Sequence, residues 1–575
     1  MNLPKQSPVF IPCLILSVFI GIVIRFVFLT HHELWYDEVL SMLLSSGQRT
    51  AFKSPEAVPI AIKEYTRLLS IPMDTGLVET LKNLLKGTLG DPHPPLFYLG
   101  QHLWMRGLGN GVAAMRSLVV LSSLAAIAGS YGLGKLLLGR QGGWLLAALM
   151  TLNPFFLSHS LNLRMYTLLV LWVVLSEWSL LALIKLDKTH DRQADLQMGN
   201  SQLNHPLALK TFAAIGTQRY LLMAALALCV TAGLMSQYLF AYMLLALAVL
   251  VLVIGGRHWL QYGLTLTVGV VLTLPWVFWG TRQQANNRSD VLNQISEAGS
   301  WLTTSYRHLQ DISQTLANHL LLGHWSTGFS PLDASIKPTA VVAGFGVMLF
   351  LLMCLIGLYR QQEYYLLTVG FILGILPLLI ALGLDIATHK FTVGFGWGRS
   401  VIVALPGCLL LIASWLSRAT GRWQMPLSLA LLSLYLAVGI GDFTLRDRHM
   451  FHTVNNWVTA APNQSTLVVM NSMAWGNVLR LSYYIDPDYP ADMLATHPKD
   501  LPYALPQALQ GNYNRVLWLN AQNPVWSAAD TEAETQQIQQ AVETTLASRC
   551  QLSQHQPLSG TMDIDAFELS LYECD

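Results

Sequence analysis

Two adjacent carboxylates, Asp37 and Glu38, follow Trp35 and Tyr36 in the stretch HHELWYDEVLSMLLSSG, directly after a long apolar run. On a helix, neighbouring residues point about 100° apart. The pair therefore cannot share one proton and would face two different ligands. Burial would raise their pKa values and make either one a usable base. The same acids also suit a solvated first helical turn, where the helix dipole favours negative charge. A second group lies in GDPHPPL, residues 90–96, where Asp91 and His93 alternate with prolines. Proline fixes its own φ and restrains the residue before it, so this segment holds a carboxylate and an imidazole at a set height. Such a pair can bind a divalent metal, or orient a phosphate or hydroxyl. It can also simply begin the next helix, with Asp91 as a capping acid. Arginines form the third group: Arg116, Arg164 in SHSLNLRMYTLLVLW, and Arg399 in GFGWGRSVIVALPG, each at the edge of an apolar run. The guanidinium fork makes two parallel charged hydrogen bonds to a phosphate. Snorkelling to lipid head groups is the plainer use.

The elements that must position these residues are membrane helices. Of 575 residues, 53% are hydrophobic and 12% charged, about half the charge of an ordinary soluble protein. Net charge is +1, which gives no reason to expect a nucleic-acid partner. About eleven apolar stretches are long enough to span a bilayer. They lie near 9–29, 114–138, 143–159, 166–185, 220–236, 238–255, 259–279, 338–359, 363–383, 399–417 and 424–441. The first is too long for a signal-peptide core and is read as a retained span. PPLFYLGQHLWMRGLG, at 94–109, is shorter, carries Gln101, His102 and Arg106, and is expected to lie in the interface.

With the N-terminus in the cytoplasm, every cytoplasmic turn is basic: Arg140; Lys185, Lys188, Arg192, Lys210 and Arg219; Arg257; Arg360; Arg418 and Arg422. That is the positive-inside pattern. The first outside loop (about 30–113), the second (about 280–337) and the C-terminal tail then share the far side. Residues 1–442 would form the membrane domain and 443–575 a small α/β domain. In that tail STLVVMNS, NRVLWLNA and DAFELSLYEC read as strands, and TEAETQQIQQAVETTLAS as a helix capped by Thr531. Cys550 and Cys574 lie in the tail, apart from the four cysteines in apolar runs. They would form a disulfide in an oxidising compartment, or remain two free thiols.

LWYDEVLS, then DPHPPLFYLGQHLW, then Arg-Met-Tyr after the third span resemble the C-type membrane glycosyltransferases. Family 39 and its bacterial relatives, which include protein O-mannosyltransferases and transferases adding aminoarabinose to lipid A, are the nearest likeness. The resemblance covers roughly residues 10–440. It implies about eleven to thirteen spans, with juxtamembrane helices in the first outside loop, and inverting transfer of a sugar from a polyprenyl phosphate. The acceptor would be a protein, lipid or glycan hydroxyl. By this likeness Asp37 is the base or acceptor contact and Glu38 helps place the acceptor. Arg164, Tyr166 and Arg399 face the donor phosphate, with Arg116 a further candidate. His93 falls in the family's His-Pro-Pro, and Asp91, Trp35 and Tyr36 join it as substrate contacts. A divalent metal, Mg or Mn, held by Asp37, Asp91 and His93 stays open. The sequence departs from the family pattern at three places: the acid often seen shortly before the Arg-x-Tyr is absent, Gln237–Tyr238 stands where His-Tyr is common, and Ser400 follows Arg399, where an Arg-Tyr pair is common. With no retention signal at its end, the chain is expected in a bacterial inner membrane, among membrane lipids, with its tail outside. A flippase for lipid-linked sugars and a non-catalytic envelope scaffold are the competing classes; the first would usually show internal repeats, and none stands out.

Overall fold

A computed structural model describes residues 8–72, 74–198, 206–287, 301–323, 337–444, 449–522, 524, 531–560 and 565–574. Among these residues, nine helices are long and apolar enough to cross a membrane. They are Phe10–Val27, Val112–Leu152, Tyr166–Arg192, Gly216–Ser236, Gly256–Asn287, Pro338–Arg360, Tyr364–Thr388, Gly398–Arg418 and Gly421–Thr444. Phe240–Ile254 is a shorter apolar helix.

Val112–Leu152 is two helices. Gly139 has φ of 81° and ψ of −176°, outside any helical region. Tyr131 and Trp144 would lie about 20 Å apart along a straight helix, yet their ring centroids are 4.8 Å apart. The chain doubles back at Gly139, where the left-handed φ suits only glycine well. Counting both arms, and adding Phe240–Ile254 to the nine, recovers the eleven stretches of the sequence. The first span locks onto both arms through a buried arginine. Arg25 Nη1 donates to Gly21 O and Thr151 O, both at 2.9 Å, and its Nε donates to Ser123 Oγ at 3.1 Å.

Leu96–Leu108 is a 13-residue helix outside the set of spans, with Leu103 and Leu108 exposed. It lies beside another short helix, Leu77–Thr88, which exposes Leu77 and Val78. Both have the length and apolar face of interfacial helices. Of the second long loop, Trp301–Ala317 is helical and passes into a wider turn at Asn318–Leu322. Residues 288–300, which the sequence also reads as helical, lie outside the described residues.

The tail forms a mixed sheet with strand order β1-β3-β2-β4-β6-β5. Its strands are β1 (Ile60–Ala61), β2 (Thr466–Met470), β3 (Ala491–Ala495), β4 (Arg515–Ala521), β5 (Cys550–Ser559) and β6 (Ala566–Cys574). β2 runs parallel to β3 and β4; the other pairings are antiparallel. The helix Glu532–Ala547 begins where Thr531 Oγ1 accepts from Glu534 N at 3.2 Å. Cys550 and Cys574 are joined by a disulfide.

β1 belongs to the first loop and pairs with β3 in register Ile60↔Met493. Further contacts join the same two regions. Leu34 N donates to Tyr484 Oη at 2.7 Å, Thr66 Oγ1 to Ser482 O at 2.7 Å, and His452 N and Nδ1 to Glu33 Oε1 at 2.6 and 2.8 Å. The first loop and the tail therefore lie on one side of the bundle. The tail's sheet is completed by a strand from the other end of the chain.

Candidate active site

Helix Tyr36–Ser45 starts with Trp35 in an extended conformation at its N-cap. Tryptophan has no side-chain acceptor to cap the free N–H groups. Glu38, in the first turn, supplies one: its Oε2 accepts from Trp35 N at 3.0 Å. The same carboxylate takes the fork of Arg116, with Nε to Oε1 at 2.9 Å and Nη2 to Oε2 at 2.8 Å. It also accepts from Leu163 N at 2.6 Å. Arg116 donates in addition to Leu29 O, His32 O and Glu33 O. Both side chains are fully buried. Glu38 and Arg116 thus pin together the first loop, the head of the second span and the segment before Arg164. The expected acceptor contact for Glu38 and phosphate contact for Arg116 differ from this geometry. Their polar atoms are engaged with the protein, and a buried pair of this kind is costly to open.

Asp37, one residue earlier, faces elsewhere. Its Oδ2 accepts from Arg399 Nη1 at 3.1 Å and lies 3.9 Å from Arg164 Nη2. Arg164 Nη1 also donates to Ser41 Oγ at 3.1 Å, one helical turn on. The Arg399 guanidinium lies 5.4 Å from the Trp35 ring centroid, within reach of a cation–π attraction. Arg164 and Arg399 are buried, whereas the Asp37 side chain keeps 14% of its surface open. Burial works against the charge on Arg164. The Asp37 carboxylate, with Tyr98, Tyr166 and Asp91, outweighs that and raises its pKa, so the guanidinium stays charged.

The elements behind the arginines are rigid. Arg164 lies in the bend between helix Pro154–His159 and helix Tyr166–Met198. Asn153 starts that bend, accepting from Phe156 N at 2.9 Å and donating to His319 O at 2.8 Å. Arg399 lies in the tight helical turn Phe395–Ala404, at the head of Gly398–Arg418, the most deeply buried of the described spans. Gly398 just before it has φ of +86°, and its carbonyl lies 2.8 Å from His319 Nε2. The second long loop thereby holds Arg399 over Asp37.

Asp91 and His93 form a third part. His93 Nδ1 lies 2.7 Å from Asp91 Oδ1, His93 N donates to the same oxygen at 3.0 Å, and Tyr98 Oη does so at 3.1 Å. Burial pushes the Asp91 carboxyl up, but His93 and then Arg164 more than offset it, bringing its pKa down to about 2. Gln284 Nε2 donates to His93 O and Thr88 O, both at 2.8 Å, and Tyr238 Oη donates to Gln284 Oε1 at 2.5 Å. Gln237–Tyr238, where the sequence departs from the family pattern, thus supports the proline-rich segment through Tyr238.

The remaining candidates are placed as follows. Tyr166 is buried, its ring 4.7 Å from that of His159. Tyr36 turns toward the tail, and a Cβ on Gly476 would stand 2.4 Å from its ring. Asp37, Asp91 and His93 do not gather into a metal-binding set: no group of three or more His, Cys, Asp or Glu does so among the described residues. Two cations already face Asp37, and Asp91 is engaged with His93, so this donor set does not fit a divalent ion. Sequence reasoning missed Tyr98 and Ser41. Tyr98 interacts with Asp91, Arg164 and Asp37 together. Its spacing after Asp91 carries no motif that would single it out.

No protein-family model matches the chain, and no curated protein matches its sequence. Among solved structures, the chain is similar to ArnT from Cupriavidus metallidurans bound to undecaprenyl phosphate, at 12% identity and a TM-score of 0.47, covering 98% of each chain. It is also similar to an oligosaccharyltransferase from Archaeoglobus fulgidus in complex with Zn and sulfate, at 11% identity and a TM-score of 0.44, covering 96% of this chain and 72% of that one. AglB from the same organism, in complex with an inhibitory peptide and a dolichol-phosphate, is similar at 11% identity and a TM-score of 0.42, covering 89% and 70%. Likenesses this distant assign no role to any side chain here.

Proposed function

We propose that the chain is an inverting membrane glycosyltransferase of the C type, taking a sugar from a polyprenyl phosphate to an acceptor hydroxyl on the outer face of the membrane. The observation that supports this best is Asp37 between Arg164 and Arg399, two buried guanidinium groups next to a partly open carboxylate. A lipid phosphate can keep its tail among the spans while its head meets the arginines. The acceptor oxygen attacks C1 of the sugar from the face opposite the phosphate. The C1–O bond to phosphate breaks, and the electron pair leaves with polyprenyl phosphate. Arg164 and Arg399 neutralise the growing charge, and such preorganised donors are a large share of enzymatic rate enhancement. Asp37 holds the two forks in register before the donor arrives and then contacts the acceptor. Glu38 and Arg116 are positioning residues that fix the helix carrying Asp37. The division at 442/443 separates the membrane transferase from a tail that covers the site, and the sidedness follows from the basic turns on the opposite face.

The test is reconstitution of the full chain in vesicles with the polyprenyl-phosphate-sugar fraction and acceptors of its own membranes. Release of free polyprenyl phosphate, lost in Asp37→Asn while that variant inserts normally, is the expected result. Movement of the intact lipid across the bilayer, with no release, would make the protein a flippase.

A further inference from the structure

The Asp91–His93 pair has more geometry than a rigid turn requires. Pro92 and Pro94 flank His93, and Gln284 holds its carbonyl, so the backbone under the imidazole is fixed on both sides. Asp91 is an anion, and an ionised carboxylate can only accept hydrogen bonds. His93 Nδ1, 2.7 Å from it, must therefore carry the ring proton. In the neutral ring the lone pair is then on Nε2. Among the described residues no hydrogen bond to Nε2 is present, nor is it among the buried polar atoms left without a partner; the side chain keeps 16% of its surface open. The dyad adjoins the Asp37 site through shared neighbours. Arg164 and Tyr98 interact with both Asp91 and Asp37. Asp37 Oδ2, by contrast, is engaged with the two guanidinium groups.

We infer that His93, oriented by Asp91, is the general base that takes the acceptor's proton, a role the sequence gives to Asp37. The inference rests on the glycosyl-transfer reading. As the acceptor oxygen bonds to C1, its proton passes to Nε2. The C1–phosphate bond breaks with its electron pair on the phosphate. The imidazolium that forms is countered by Asp91, as a carboxylate counters the histidine of a hydrolytic triad. Its proton then returns to water at the open edge of the ring.

Azide separates a base from a merely structural residue, because this anion attacks C1 with no proton to lose. The full chain in vesicles is supplied with the polyprenyl-phosphate-sugar fraction of its own membranes, and release of polyprenyl phosphate is followed with membrane acceptors or with azide. His93→Gln should lower release to hydroxyl acceptors by about 10²–10⁴-fold, the usual contribution of a general base. Azide should return that variant to the wild-type rate with azide, with a glycosyl azide as product. Asp91→Asn should lose less and be rescued in the same way. Arg164→Lys, whose defect lies at the phosphate, should not be rescued. Wild-type rates in His93→Gln with the natural acceptors, or a loss that azide leaves untouched in both dyad variants, would overturn the assignment. Absence of release from the wild-type chain would instead overturn the glycosyl-transfer reading beneath it.

Discussion

Asp37 and Glu38 are neighbours in sequence with opposite work to do. Glu38 is closed in by Arg116, Leu163 N and Trp35 N, with no exposure left. Removing its charge strands a buried arginine, which costs about 3–5 kcal/mol when one partner of such a pair is lost. Glu38→Gln should therefore lower the thermal unfolding midpoint in detergent, with activity falling as a consequence. Asp37→Asn should melt close to wild type and yet lose transfer. A normal midpoint for Glu38→Gln would show that its ion pair is not holding the loop. Arg164 makes the complementary case. Its Nη1 and Nη2 reach Ser41 and Asp37 in different directions, which a lysine's single ammonium cannot reproduce. Arg164→Lys should lose about 10²–10³ in rate, the cost of removing one donor to a developing charge, read as initial release of polyprenyl phosphate. The sequence shows both acids and all three arginines, but not which acid meets which arginine. That pairing is made by Arg116, 78 residues beyond Glu38, and only the packed chain supplies it.

The elements that carry these residues were legible where one physical rule determines them. A run of about twenty apolar residues can hardly be anything but a span, and the described spans fall where the apolar runs lie. The reversal at Gly139 was legible as a break between two runs, because a positive φ there ends one helix before the next begins. β2, β4 and β6 are apolar segments in a polar tail and stand out. β5 does not, because CQLSQHQPLS forms an exposed edge with only Cys550 and Leu558 buried. β1 has two residues and exists only because β3 offers it an edge. The turn that presents Arg399 was likewise hidden, since it depends on Gly398 fitting under the second long loop. A Cβ there would lie 2.6 Å from Thr315 Cγ2, on a backbone with φ of +86°. Gly398→Ala should displace Arg399 from Asp37, and a misplacement of about 1 Å can cost 10²-fold in rate. Steady-state release assays should find a lower kcat. Unchanged turnover would mean that Arg399 is not held by this turn.

At the scale of the whole molecule, the two ends of the chain build one unit over the site. Helix Trp475–Tyr484 of the tail packs on helix Tyr36–Ser45, and Trp35, Tyr36 and Ala474 share a small apolar cluster. Glu33 and Leu34, just before helix Tyr36–Ser45, are bonded to His452 and Tyr484. The tail is therefore part of what sets the position of Asp37, although none of its described residues pairs with that carboxylate. The opposite claim would be that the tail is a separate module and the membrane part needs no cover. Gly476 decides between them with a single methyl group. A Cβ at that position would stand 2.4 Å from the Tyr36 ring, closer than any real contact, so either Tyr36 or the tail helix must move. Gly476→Ala should insert and bind donor lipid as the wild type does, because Arg164 and Arg399 are untouched. Its transfer rate should fall, because the helix bearing Asp37 shifts against them. Ending the chain at residue 442 should abolish transfer altogether, since it removes the tail helix and leaves β1 without a neighbour. Full-rate release of polyprenyl phosphate from that truncated chain would show that the first loop holds its own shape, and that the tail is a separate module.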